Sequence, residues 1–76
     1  MKTDIGNILV LENGKELLIV YDPDEDLYPY VLVNLETAQI ENGYSNLDCF
    51  EIGAYIIGSD KKFLKIIEIK PFSNGE

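Results

Sequence analysis

The chain is expected to fold as an all-β protein, a small barrel of five or six strands. Three observations lead there. Short β-rich segments recur with turn residues about every six to twelve positions, the spacing of small barrels and sandwiches. Within these segments apolar residues fall on both faces of the alternating pattern, which suggests a barrel or a sandwich. An open sheet of this size would leave unpaired edges, which closure removes. The competing arrangement is an α+β fold with a longer helix after Ser45; Gly53 and the β-branched run that follows it weigh against that helix.

The elements follow in order. Ile5 to Leu11 (IGNILVL) is the first strand, in which Ile8 and Val10 alternate with Leu9 and Leu11. Asn13-Gly14 is a hairpin signal, since both central residues of a type I′ turn take positive φ. Glu16 to Tyr21 (ELLIVY) returns as the second strand, with Leu17, Ile19 and Tyr21 on one face and Leu18 and Val20 on the other. An acidic loop follows, with Pro23 and Pro29 near its ends, positions that read as loop or edge because proline cannot donate to a ladder. Tyr30 to Leu35 (YVLVNL) is the third strand, Glu36-Thr37-Ala38 a short turn, and Gln39 to Glu41 a short fourth strand that Asn42-Gly43 interrupts.

Beyond it, Ser45 with an acid at Asp48 resembles a helix N-cap, and residues 46–51 are expected to form one short helical turn ended by Gly53. Ala54 to Ile57 is a further strand, Gly58-Ser59-Asp60-Lys61 a hairpin turn, and Phe63 to Lys70 (FLKIIEIK) the closing strand. Pro71 ends that strand. Residues 1–72 therefore read as one domain and 73–76 as a frayed tail, with no internal repeat and no linker.

Composition narrows the function. A chain of 76 residues is close to the lower limit for a self-sufficient core, and its 46% apolar content is ordinary for a globular domain. The single Cys49 cannot form an internal disulfide, and no Cys/His set exists for zinc, which points to a reducing compartment. The opening MKTDIGNILV lacks the pattern of a secretory signal, and no apolar run is long enough to span a membrane. The expected setting is cytoplasmic, with no membrane contact. No His, Arg or Trp occurs; all six basic residues are Lys. Without the usual acid–base group and the bidentate phosphate clamp, the chain reads as non-enzymatic, with no catalytic residues and no cofactor.

Between Glu16 and Asp60 there are ten acidic residues and no basic one, and the whole chain carries a net charge of −8. Such a field repels nucleic acid and favours a cationic protein surface. The acids crowd most closely in YDPDEDLYPY, where Tyr21, Asp22, Asp24, Glu25, Asp26, Tyr28 and Tyr30, together with Tyr44, form the candidate partner-binding set. Four carboxylates within five residues repel one another, a cost an ordinary turn avoids, and tyrosine is enriched where interfaces need an apolar ring with a polar tip. The loop also has the alternate-acid spacing of a calcium site. Counting from Asp22, however, Leu27 and Val33 fall where an EF-hand needs Gly and a bidentate Glu. No metal site is expected.

The segments IGNILVLENGKELLIV (5–20), YPYVLVNLETAQI (28–40), YSNL (44–47) and KIIEI (65–69) together resemble small SH3-like barrel proteins of phages, prophages and other mobile elements of low-GC Gram-positive bacteria. Gly6-Asn7-Ile8 stands where that pattern has a Gly-Asp-Ile-type entry, and the central turn ends in Ala38 where Gly is usual. The resemblance implies an SH3-like barrel and an accessory role, in some such proteins the inhibition or sequestration of bacterial defence components. It carries over no catalytic residue.

The remaining features are plainer. Lys61, Lys62, Lys65 and Lys70 gather near the C-terminus, too few for a nucleic-acid patch but enough to polarise the molecule and allow a homo-oligomer. Cys49, beside Asp48 and without a His, reads as a small buried hydrophobe. Asn34, inside a strand, reads as a cap for a bulge or turn. The expected function is an acidic protein-interaction module that inhibits a host factor, with carboxylates standing in for nucleic-acid phosphates as one route. A nucleotide-binding sponge and a structural or assembly protein without inhibitory role are the open alternatives.

Overall fold

A computed structural model describes residues 3–58 and 61–71. Six strands make up the domain: β1 (Asn7–Leu11), β2 (Glu16–Tyr21), β3 (Tyr30–Asn34), β4 (Gln39–Tyr44), β5 (Tyr55–Ile57) and β6 (Phe63–Pro71). All pairings are antiparallel, in the order β4-β3-β2-β1-β6-β5, and the sheet curls into a nearly closed barrel of the SH3-like kind. Among the described residues there is no helix, and so none long and apolar enough to cross a membrane.

The alternation read from the sequence decides which side chains face inward. Leu9 and Leu11 of β1, Leu17 and Ile19 of β2, Leu32 of β3, Ile56 of β5 and Ile66 of β6 meet in the interior, joined by Phe50 from the 45–54 connection. Burial of each such side chain is worth about 1.5–3 kcal/mol, and these eight supply the core. Ile66 and Ile69 can both face inward because Ile67 is an extra residue, a bulge where Leu11 pairs with Ile66 and Val10 with Glu68.

Four local expectations are corrected. The Asn13-Gly14 hairpin forms, but only Gly14 takes positive φ (89°); Leu11 N–H bonds Lys15 O at 2.9 Å around a three-residue loop, a type I turn with a Gly bulge in place of type I′. Strand β4 does not stop at Asn42-Gly43. Glu41 bulges out of the β3 register, which shifts between Leu32–Asn42 and Val33–Ile40, and the ladder continues to Tyr44. The helical turn expected over 46–51 is one hydrogen-bonded turn, Phe50 N to Leu47 O at 3.1 Å, and goes no further. Asn46, rather than Ser45, caps it by accepting the Asp48 N–H at 2.9 Å. Pro71 lies within β6, opposite Asn7 at the edge of the ladder. Ser59, Asp60 and the 73–76 tail lie outside the described residues.

Asn34 does cap a turn. It is 5% exposed; its Oδ1 accepts the N–H groups of Glu36 (2.8 Å) and Thr37 (3.3 Å), and its Nδ2 donates to Glu41 Oε2 at 3.0 Å. The Lys15 ammonium stands 3.6 Å from the other oxygen of Glu41, so one buried carboxylate joins the first hairpin to the β3–β4 turn. Ala38 closes that turn at φ 61°, the left-handed conformation that favours glycine.

The barrel is closed differently between its terminal strands. No backbone ladder joins β4 to β5. The Asn42 amide accepts Gly43 N–H at 2.8 Å and donates to Ile57 O at 3.0 Å, while the Tyr44 hydroxyl accepts Ile57 N–H at 3.4 Å. Two side chains thus bridge the seam.

Candidate functional site: an acidic loop beside a depression

The 22–29 loop leaves β2 and re-enters β3 over a short neck. Asp22 N–H bonds Pro29 O at 2.7 Å, directly beyond the paired Tyr21 and Tyr30, whose rings tilt against each other at 5.3 Å. Inside the neck, Asp22 folds the chain back on itself: its Oδ1 accepts Asp24 N–H at 3.0 Å and its carbonyl accepts Glu25 N–H at 3.1 Å. With the backbone turned inward, the carboxylates of Asp24, Glu25 and Asp26 project to solvent, and Leu27 (70% exposed) and Tyr28 (54%) stand beside them.

One open depression borders this loop, and a second lies at Tyr30 beside the 45–54 connection. The outer one, about 490 Å³, has Asp22 and Glu25 on its rim and Tyr28, Val31, Ile40, Asn42 and Gly43 as its wall and floor. Gly43 is required there by close approach, because a Cβ at that position would lie 3.1 Å from both Cβ and the carbonyl oxygen of Tyr28. Tyr28 therefore lies directly over β4. The second depression, about 620 Å³, opens toward Tyr30 and is lined by Thr3, Asp4, Leu47, Asp48, Phe50 and Glu51. The Thr3 hydroxyl donates to the Phe50 carbonyl, which holds the N-terminal segment against the 45–54 connection. Each depression brings carboxylates together with apolar side chains, groups that can meet the head and stem of a long cationic side chain.

The candidate residues separate accordingly. Asp22, Glu25 and Tyr28 come together at the outer depression, and Tyr30 reaches the second. Asp24 and Asp26 are exposed on the loop and line neither. Tyr21 covers Tyr30. Tyr44 belongs to the fold: its ring meets Phe50 edge-on at 4.9 Å, and burial raises its pKa above the ordinary tyrosine value. Asp4, Asp48, Glu51 and Ile40 were not singled out in the sequence. They arrive from three separate segments, and no local motif links them.

Chemistry beyond binding finds little material here. Among the described residues no group of three His, Cys, Asp or Glu side chains could hold a metal ion. The half-buried Cys49 packs against the core, and burial, with the Asp48 charge adding to it, raises its thiol pKa and disfavours the nucleophilic thiolate. Two lysines already engage carboxylates, Lys70 with Glu16 at 2.9 Å and Lys15 with Glu41, so they do not converge on a basic pocket. The class defined by fold and site is thus a small all-β barrel with an acidic, aromatic-bearing surface. The chain matches no protein-family model, no curated protein and no solved structure.

Proposed function

We propose that this domain is a non-enzymatic, acidic protein-interaction module whose partner presents a cationic, partly apolar surface. The observation that carries this reading is the solvent-facing, carboxylate-rich 22–28 loop, with Leu27 and Tyr28 exposed on it, beside a depression that Asp22 and Glu25 line together with Tyr28, Val31 and Ile40. Exposed aromatic and aliphatic groups supply contact area, and the surrounding carboxylates select sign and speed encounter. In the mobile-element setting that the sequence resemblance implies, the partner is a host defence protein. The spaced carboxylates would then occupy a groove that otherwise holds nucleic-acid phosphates. The paired states of Lys15 and Lys70 favour this reading over a nucleotide sponge, which needs several cations aimed at one pocket.

The test is affinity purification from a bacterial lysate, with mass spectrometry of bound proteins, using the native chain beside an Asp24→Asn/Glu25→Gln/Asp26→Asn variant. The native chain is expected to retain a discrete basic protein in a salt-sensitive manner, and the variant to retain at least about tenfold less of it. Equal recovery by both, with the same salt dependence, removes the loop from the proposal.

A further inference from the structure

The outer face of β5–β6 is the second large apolar exposure of the barrel. Its register sets Tyr55 opposite Lys65 and Ile57 opposite Phe63, so these four side chains share the side away from the core. Tyr55, Phe63 and Ile67 are each half exposed or more. The Lys65 ammonium lies 5.8 Å from the Tyr55 ring centroid, within cation–π range, and Lys61 and Lys62 stand at the start of the same strand. The Glu12 carboxylate accepts the backbone N–H of Lys65 at 2.8 Å. This face is therefore lysine-bearing and apolar.

Across the seam from it is the outer depression, which is acidic and apolar. Asn42, part of that depression, is the residue that bonds Ile57 of β5, so the two surfaces adjoin along the line where the barrel closes. A surface acidic on one side of a line and basic on the other is self-complementary under a two-fold rotation about that line. We infer that a second copy of this chain docks there. The Asp22/Glu25 rim of each copy faces Lys65 of the other, and Tyr28 and Ile40 of one meet Tyr55 and Phe63 of the other. The net charge of −8 on each copy opposes association at long range. At physiological ionic strength that repulsion is screened beyond about 8 Å, while short-range pairs and apolar contacts persist. This inference rests on reading the outer depression as a cation-binding surface. It adds that the chain's own β5–β6 face competes with the external partner for it, so self-association would hold the module in reserve.

Sedimentation velocity from micromolar to millimolar concentration, at physiological ionic strength, tests it. The native chain is expected to reach twice its 8.6 kDa mass as concentration rises. Glu25→Lys and Lys65→Glu are each expected to weaken the dimer by about tenfold or more, since each sets like charges together twice. An equimolar mixture of the two variants should associate nearly as well as the native chain, because Lys introduced at 25 then faces Glu introduced at 65 and the other pair stays native. Circular dichroism verifies that both variants fold, and Phe63→Ser, at an exposed position, supplies a third route to a monomer. A native chain that stays monomeric throughout, or a mixture no better associated than either variant alone, overturns the inference. Capture of a synthetic alternating lysine–leucine peptide keeps the underlying reading separate. Lys65→Glu should bind it fully and Glu25→Lys poorly; full binding by Glu25→Lys rejects the depression as a cation site itself.

Discussion

The β2–β3 loop and the β3–β4 turn leave opposite ends of the same strand, yet they direct their polar groups in opposite ways. At the β3–β4 turn, Asn34 is buried and commits its amide to two backbone N–H groups and to Glu41, which in turn meets Lys15. At the β2–β3 loop, the backbone satisfies itself through Asp22 and Pro29, and the carboxylates that follow face solvent. One connection spends its polar side chains on holding the barrel together. The other leaves them available to a partner. The difference teaches that charge along this chain has two roles, and burial of the nearest polar residue separates them.

That contrast can be broken or sharpened by substitution. The largest effect is expected for Asn34→Ala, which removes the side-chain acceptor of the Glu36 and Thr37 N–H groups and one of the donors to Glu41. Urea denaturation should register a loss of about 2–3 kcal/mol; a loss below about 1 kcal/mol would mean the turn does not depend on this residue. Gly43→Ala comes next. Its new Cβ would lie 3.1 Å from the Tyr28 carbonyl oxygen, which belongs to the backbone. The loop must shift, at an expected cost of about 1–2 kcal/mol, with weaker capture of the cationic peptide. A neutral result would show that Tyr28 is not held against β4.

Ala38→Gly is expected to act in the other direction. Relief at φ 61° outweighs the added freedom of the unfolded chain, for a gain of about 0.5–1 kcal/mol in the same assay. A loss would indicate that the turn adapts to the alanine without strain. Smallest of all is the stability change of the Asp24/Glu25/Asp26 amide variant, within about 0.5 kcal/mol, because these groups hold nothing in the fold. A larger loss would make the loop structural and erase the contrast.

Much of the barrel was legible in the sequence because its signals are local. The alternation separated Leu17 and Ile19 from Leu18 and Val20 on β2, and burial then marks the first pair as the inward one. Asn34, polar within an apolar strand, announced a turn cap. Misreadings arose where a distant contact overrides local preference. Asn42-Gly43 has the composition of a turn, but Tyr28 closes over Gly43 and Asn42 reaches Ile57, and both contacts are visible only in three dimensions. The candidate site divides in the same way. Asp22, Glu25 and Tyr28 are neighbours in sequence and were found together. Asp4, Asp48 and Glu51 line one depression from two distant segments of the chain, and no spacing rule joins them.

The bridge between β4 and β5 has a further consequence. No ladder joins the two strands, so above the core that Leu32, Phe50 and Ile56 share, Asn42 and Tyr44 carry polar contacts across the seam. Losing both would leave the Ile57 N–H and carbonyl without these partners at an edge strand, and unpaired strand edges are the template on which polypeptides aggregate. Asn42 and Tyr44 thus cover the β5 edge at Ile57, the kind of contact that blunts edge-to-edge pairing.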